Sequence, residues 1–165
     1  MHKDASGVCM NRKIWRTNMR ITYIHHSSFL VETKEDYFLF DYFEGEIPEL
    51  EEDKPLLVFA SHRHGDHFSP AIFELVKKHE KTSFVLSDDI WRRRVPEELL
   101  GRTYFIGPEE TLQLTAPFTG ESGVKIRAFR STDEGVAFLL ETEGKGIYHA
   151  GDLNNWVWDS EPEAD

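Results

Sequence analysis

The sequence predicts a single α/β domain that is rich in short strands and has only scattered helices. Its apolar residues fall mainly into short runs, and the run Leu56–Ala60 is continuous, as in a strand that is buried on both faces. Helical spacing is clear only between residues 70 and 80, where Ile72, Leu75 and Val76 would share one face. At 165 residues the chain suits one domain with a sizeable core.

Turn signals locate the remaining elements. Glu35-Asp36 separates two strand-like runs and predicts a hairpin, and Glu143-Gly144-Lys145 predicts another. Ser69 and Pro70 fit the N-cap and the first position of the helix predicted over residues 70–80. In chain order, the predicted strands are Ile21–Ile24, Ser28–Thr33, Tyr37–Asp41, Leu56–Ala60, Ser83–Leu86, Thr103–Ile106, Thr111–Thr115, Val124–Phe129, Gly135–Glu141 and Gly146–Ala150, with short helical turns near residues 88–93 and 96–100.

The segment Ser61–His67 contains the strongest functional signal of the chain. It places three imidazoles and a carboxylate within six residues, directly after a predicted buried strand. His62 and His64 are two residues apart and would project to the same side of an extended backbone, while Asp66 and His67 follow at the turn. Imidazole nitrogens and carboxylate oxygens are ligands that Zn²⁺ prefers. A lone histidine is more often a packing or surface residue, but three at this spacing indicate a metal site.

The pattern His-x-His-x-Asp-His (HxHxDH), between an apolar strand and a helix, resembles the signature of the metallo-β-lactamase-fold hydrolases. Asp41, which ends a strand, and the pair Gly151-Asp152 also fit that family. The segment His25–Val31 is similar to the first hairpin of its ascorbate-phosphate-lactonase-like branch. The resemblance runs from about Met19 to Asp152. It implies an αββα sandwich of four layers and a metal-dependent hydrolase.

The resemblance also implies which residues hold the metal. His62, His64 and Asp152 would bind one divalent cation, and Asp66 and His67 would bind a second, with Asp152 bridging the two. One or two zinc ions are expected, with Mn²⁺ or Fe²⁺ as alternatives, and an activated water would attack an ester, lactone or phosphoester. Asp66 could instead accept a proton and orient the water. A redox di-iron protein is a further interpretation, which His64 disfavours because iron-type members have glutamate there.

Two histidines of the family pattern have no counterpart in this chain. The loop Phe129–Gly135 lacks one, and the chain stops at Asp165, before the position of the other. Asp133 could replace the first as a carboxylate ligand, since loops commonly provide functional side chains. His26, in the loop after the first strand, could contact metal or substrate. Asp41 is expected either to accept a hydrogen bond from a ligand imidazole or to be a surface residue.

The two ends of the chain are predicted to lie outside the domain, which spans residues 19–158. Residues 1–18 lack periodicity and are expected to be a disordered extension, and the acidic tail 159–165 is expected to be disordered as well. So short a segment after Asp152 predicts a sandwich that is incomplete in its C-terminal half. The alternative to an active hydrolase is therefore an inactive, truncated remnant that binds metal weakly or serves as a binding module. Exposed apolar surface on such a sandwich could pair in a homo-oligomer.

Charge and cysteine content limit the expected partners. Thirty acidic and 19 basic residues give a net charge of −11, which disfavours nucleic acid and anionic membranes. There is one cysteine, Cys9, and no apolar run long enough for a signal peptide or a membrane span. A cytoplasmic protein with a small-molecule substrate is expected. The run Arg92–Arg94 is typical of a solvated helix end, and His149 is expected to pack inside its strand.

Overall fold

A computed structural model describes residues 19–154. Within that range, ten strands form two sheets, one of six strands and one of four. The sheets stack face to face, and short helical segments cover the outer side of the larger one, so the predicted α/β sandwich is confirmed. The predicted disordered segments, residues 1–18 and 159–165, lie outside the described residues, as do residues 155–158 of the predicted domain.

The six-stranded sheet has strands in the order β1-β2-β3-β4-β5-β6. β1, β2 and β3 pair antiparallel, which confirms the hairpin predicted at Glu35-Asp36, whereas β3 to β6 pair parallel. The strand bounds are β1 Arg20–His25, β2 Ser28–Glu32, β3 Tyr37–Phe40, β4 Leu56–Ala60, β5 Thr82–Ser87 and β6 Thr103–Ile106.

The four-stranded sheet is antiparallel throughout and has the order β10-β9-β8-β7. The hairpin predicted at Glu143-Gly144-Lys145 joins β9 to β10, and Gly144 adopts a φ of 69°, a conformation that glycine takes without a steric penalty. The strand bounds are β7 Thr111–Leu114, β8 Val124–Arg130, β9 Val136–Thr142 and β10 Lys145–His149.

Aromatic residues fill the space between the two sheets. Phe59 of β4 stacks on Phe40 of β3 at a centroid distance of 4.9 Å, and contacts Phe138 of β9 edge to face at 5.2 Å. All five residues of β4 are buried, as the continuous apolar run predicted. Burial of each large apolar side chain is worth about 2–3 kcal/mol. This interface therefore fixes how the ends of the two sheets meet.

The helical layer is shorter than the sequence predicts. A 3₁₀ segment, Pro70–Glu74, leads into one α-helical turn, α1 (Leu75–Lys78), and Ser69 caps it by accepting the Ala71 N–H at 3.3 Å. The continuous helix expected up to residue 80 is wrong at its end. His79 is extended, because its ring contacts the Lys54 carbonyl oxygen at 2.8 Å and the chain turns directly into β5. Further 3₁₀ segments span Arg92–Arg94 and Glu97–Arg102.

The carboxyl ends of β3 and β4 meet at one edge of the larger sheet, because the two strands are parallel neighbours. Asp41 and Ser61 directly follow these strands. The β8–β9 loop reaches the same edge, where the Val136 N–H donates to the Ser61 carbonyl oxygen at 2.9 Å. The segment after β10 also ends there, since Gly151 lies against the Ser61 side chain. This edge is where the predicted site residues converge.

None of the helical segments within residues 19–154 has the length and the apolar composition of a membrane span.

Candidate metal centre

Asp41 is the central hydrogen-bond acceptor of the site and is fully buried. Its Oδ1 accepts the Ser61 backbone N–H at 2.7 Å, and its Oδ2 accepts the Ser61 hydroxyl at 2.7 Å. Oδ2 also accepts hydrogen bonds from His67 Nδ1 at 2.8 Å and from His149 Nε2 at 2.7 Å. Four donors therefore compensate the removal of this carboxylate from water, and the alternative of a surface aspartate is wrong.

The hydrogen bonds around Asp41 determine which ring nitrogens carry protons. His67 donates from Nδ1, so in the neutral ring its Nε2 bears the lone pair. The Ser61 hydroxyl has a single hydrogen, which it donates to Asp41, and it can therefore only accept from His62 Nδ1, 3.0 Å away. The Nε2 atom of His62 then also bears a lone pair. Asp41 thus orients His67 directly and His62 through Ser61.

The two lone-pair nitrogens face the carboxylate of Asp152. His67 Nε2 lies 3.1 Å from Asp152 Oδ1, and His62 Nε2 lies 3.9 Å from Asp152 Oδ2. Although it is close to Asp152, the buried Nε2 of His67 makes no hydrogen bond of acceptable geometry. Ligand atoms of these three residues lie within 4.8 Å of one another. A buried lone pair without a donor, beside a carboxylate and a second imidazole, fits a divalent cation.

His64 and Asp133 extend the cluster on one side. His64 Nδ1 lies 3.0 Å from His62 Nε2 and 3.7 Å from Asp133 Oδ2, and ligand atoms of the three residues lie within 4.8 Å of one another. Asp133 reaches this position because the loop packs closely on the start of the histidine segment. Gly135 has a φ of 66°, and a Cβ there would lie only 2.1 Å from the Ser61 carbonyl oxygen.

Asp66 and His26 extend the cluster on the other side. His26 Nε2 lies 3.1 Å from Asp66 Oδ2, and both side chains are about half exposed. Asp66 Oδ2 is also 3.8 Å from His67 Nε2, so ligand atoms of the three residues lie within 4.8 Å of one another. His26 occupies the turn between β1 and β2 with a φ of 49°. Its ring packs edge-on against Phe43, with a centroid distance of 6.1 Å.

Burial and neighbouring charges shift the pKa values of the inner residues. Burial raises the pKa of Asp41, but the charges and hydrogen bonds of His149 and His67 outweigh burial and hold that pKa well below its usual range. Burial lowers the pKa of His62. Burial also lowers the pKa of His67, but the hydrogen bond and charge of Asp41 outweigh it, so the net shift is upward. A cation at His67 Nε2 would compete with a proton for that lone pair.

The structure brings every sequence-predicted site residue to this one edge. Ser61 and His149 were missed: serine has no metal-site signal of its own, and His149 was expected only to pack. The His149 ring does stack on Phe40, at 4.8 Å, yet its Nε2 donates to Asp41. The predicted residues brought together are His26, Asp41, His62, His64, Asp66, His67, Asp133 and Asp152.

The sequence is similar to known proteins over most of its length. Residues 20–164 match the family described as the beta-lactamase superfamily domain. A UPF0173 metal-dependent hydrolase of Desulforamulus reducens is 32% identical over 150 residues, covering 81% of this chain and 62% of the relative. A protein of the same description from Carboxydothermus hydrogenoformans is 32% identical over 144 residues, with the same coverage of both chains. The chain thus spans 62% of the length of these relatives.

A solved structure has the same fold. It is that of Igni18, described as a novel metallo hydrolase from the hyperthermophilic archaeon Ignicoccus hospitalis. The TM-score is 0.59 at 20% identity, with 81% of this chain and 60% of the other covered.

Proposed function

This chain belongs to the beta-lactamase superfamily, and on that premise we propose that it is a metal-dependent hydrolase acting on an ester, a lactone or a phosphoester. One observation supports this most strongly. The lone-pair nitrogens of His62 and His67 converge on Asp152 at an edge formed by both sheets, with ligand atoms within 4.8 Å of one another. Such a set of donors can hold a catalytic cation.

We assign the metal-holding role to the residues of the histidine motif and the aspartate after β10. Zinc is the expected ion, as one or two per chain, because imidazole and carboxylate donors suit it; Mn²⁺ and Fe²⁺ accept similar donors. A cation held there lowers the pKa of a bound water and polarises the oxygen on which charge develops. The assigned ligands are His62, His64, Asp66, His67 and Asp152.

The chain's own residues would orient the site and move protons. Asp41 keeps the Nε2 lone pairs of His62 and His67 aimed at Asp152, and this second layer of hydrogen bonds fixes the rings. As the alternative to ligation, Asp66 is the proposed proton acceptor, since its side chain is 49% exposed and accessible from solvent while it borders His67. These two roles separate a buried, orienting carboxylate from an accessible, reactive one.

We also propose a small-molecule substrate and a cytoplasmic location. Many acidic residues give the protein a net charge of −11, which opposes non-specific binding of nucleic acids and anionic membranes. A single cysteine fits a reducing compartment.

The test is hydrolysis by the purified chain loaded with zinc, manganese or iron(II). The panel contains a p-nitrophenyl ester, an aromatic lactone and bis(p-nitrophenyl) phosphate. We expect metal-dependent turnover of at least one compound, which a chelator abolishes and the double variant His62→Ala/Asp152→Ala lacks. His25→Ala is the matched control, because that exposed histidine pairs with Glu44 away from the cluster. A metal-loaded chain that hydrolyses nothing in the panel would contradict the proposal and favour a binding module.

A further inference from the structure

We propose that Asp133 and His26 are metal ligands, so that two cations are each held by two imidazoles and one carboxylate of their own, besides the carboxylate of Asp152 that lies between them. This inference rests on the proposed metal centre. One triad consists of His62, His64 and Asp133, and the other of His26, Asp66 and His67. The described part of the chain thus provides three candidate donors for each of two cation positions.

The Asp133 side chain is held in place by the β8–β9 loop around it. On one side, the Val136 N–H bonds to the Ser61 carbonyl oxygen at 2.9 Å. On the other, the Thr132 hydroxyl donates to the Asn154 carbonyl oxygen at 2.6 Å and accepts the Asn154 N–H at 2.8 Å. These contacts tie the loop to both the histidine segment and the segment after β10. The position of Asp133 beside His64 is therefore set by packing and does not depend on its own ion pair.

The neighbouring acid, Glu134, serves as a comparison within the same loop. Glu134 Oε1 is bound by the Arg63 guanidinium at 2.5 Å, its Oε2 lies 3.4 Å from His64 Nε2, and Glu134 does not belong to either triad. Asp133 Oδ2 instead lies 3.7 Å from His64 Nδ1, on the side that faces His62. A water-exposed ion pair would contribute little to stability. Asp133 therefore faces the ring nitrogen of His64 that lies toward His62, whereas Glu134 faces the other ring nitrogen and is bound by Arg63.

His26 is placed by the opposite hairpin. The turn between β1 and β2 directs its ring toward Asp66 and His67, with a His26–His67 centroid distance of 5.9 Å. The adjacent His25 pairs with Glu44 at 2.8 Å. Two consecutive histidines therefore differ in that only His26 belongs to the cluster. This pair provides a matched control at adjacent positions of the chain.

Asp152 lies between the two triads. It borders His62 of one triad and His67 of the other, at 3.9 and 3.1 Å. Its two oxygens face different imidazoles, as expected of a carboxylate shared by two cations. Each triad then has two nitrogen donors and one oxygen donor, a set that both zinc and iron(II) accept. The two proposed cation positions therefore have the same number and type of ligand atoms.

The experiment measures the amount of metal bound per chain by elemental mass spectrometry. The protein is first loaded with zinc and then dialysed against a weak chelator. The parent should retain roughly two ions per chain, and Asp133→Asn and His26→Ala about one each, because removing a ligand weakens one position at least tenfold. Glu134→Gln and His25→Ala should match the parent. Asp133→His should restore the full content, since imidazole is a zinc ligand. Thermal unfolding of the metal-free variants should match the parent and show that each folds.

The outcomes separate this inference from the proposed centre itself. If the parent binds two ions and both Asp133→Asn and His26→Ala still bind two, the assignment of these residues is overturned while the centre stands. Loss of metal in Glu134→Gln, with none in Asp133→Asn, would also overturn it. If the parent binds no metal, the proposed centre and the inference that rests on it both fail.

Discussion

The two ends of strand β3 each have a buried aspartate, and the two carboxylates have opposite environments. Asp41 follows the strand and accepts four hydrogen bonds, two of them from imidazoles. Asp36 precedes the strand, is equally buried, and accepts one hydrogen bond, from the Gly120 N–H at 2.8 Å. Its other oxygen, Oδ2, is buried without a hydrogen-bond partner. Hydrogen bonds therefore compensate the burial of Asp41, whereas the equally buried Asp36 is only partly compensated.

The pKa values of the two carboxyls differ accordingly. Burial raises the pKa of Asp36 to about 6, and the charges of Glu143 and Glu35 add to that increase. At Asp41 the imidazoles outweigh burial, and its pKa is lowered. Burial alone therefore does not mark a functional carboxylate. A functional carboxylate is distinguished by the hydrogen-bond donors around it. The imidazole donors lie around Asp41, where a cation would be held.

The largest expected effect is that of Asp41→Ala. It leaves the buried Ser61, His67 and His149 donors without an acceptor, so the free energy of unfolding of the metal-free protein should fall by about 3–5 kcal/mol. Urea unfolding at pH 7.5 measures it. Asp36→Ala is the comparison: losing the acceptor for Gly120 is opposed by relief of a costly buried charge, so the change should stay within about 1 kcal/mol. Equal losses in both variants would contradict the contrast between the two ends.

Asp36→Asn should stabilise the protein in a pH-dependent way. The folded pKa of about 6 lies above the ordinary value of 3.8, so the native state binds the proton more tightly and wild-type stability falls as the pH rises from 3.8 to 6. The asparagine variant lacks this loss. Its advantage should be about 3 kcal/mol at pH 7.5 and should shrink as the pH falls through that window. Unfolding curves at several pH values measure it, and a constant difference would count against a titrating Asp36.

Gly135→Ala, at the edge with the proposed metal centre, should destabilise the protein more than Gly144→Ala in the β9–β10 turn. Both glycines have a φ near 70°, but a Cβ at Gly135 would meet the Ser61 carbonyl oxygen at 2.1 Å, whereas nothing lies within 4 Å at Gly144. Gly144→Ala should therefore cost only backbone strain, about 1 kcal/mol, and Gly135→Ala about 2–3 kcal/mol. Calorimetry of both variants measures this. Equal costs would mean that the loop does not depend on close contact with Ser61.

The smallest effect concerns two buried serines at the ends of neighbouring strands. Ser61 donates to Asp41, so Ser61→Ala should cost about 1–2 kcal/mol and loosen the His62 ring. Ser87, at the end of β5, is equally buried, but its hydroxyl has no hydrogen-bond partner. Ser87→Ala should be close to neutral or slightly stabilising. Chemical unfolding of the two variants side by side measures the difference, and an equal loss in both would be inconsistent with a special role for Ser61.

Much of the larger sheet could be predicted from the sequence, because its signals are local. The continuous apolar run gave β4 with its observed bounds, Leu56–Ala60, and the Glu35-Asp36 turn gave the β2–β3 hairpin. The helix after Ser69 was only partly predicted. Its spacing continues to residue 80, but a contact between His79 and the Lys54 carbonyl, 25 residues apart, ends it early. Local periodicity contains no information about such a contact.

The site was predictable to a similar extent. The contiguous motif gave His62, His64, Asp66 and His67 as candidates, since their spacing alone has chemical meaning. Distances between them and Asp133 or Asp152 depend on how the smaller sheet stacks on the larger one. The hydrogen bond from His149 to Asp41 depends on the same stacking and was missed. Gly135 and Gly151 allow the two segments from the smaller sheet to contact Ser61, because glycine adopts a positive φ and has no Cβ to obstruct the approach.

The most direct test of the account is the metal content of the purified, monodisperse chain, measured beside the double variant His62→Ala/Asp152→Ala. These two residues come from different sheets and face each other across the site. We predict roughly one or two zinc or manganese ions per parent chain and almost none in the double variant, with both proteins folded. No metal in the parent, or equal amounts in both proteins, would contradict the claim that this edge of the sandwich is a metal centre.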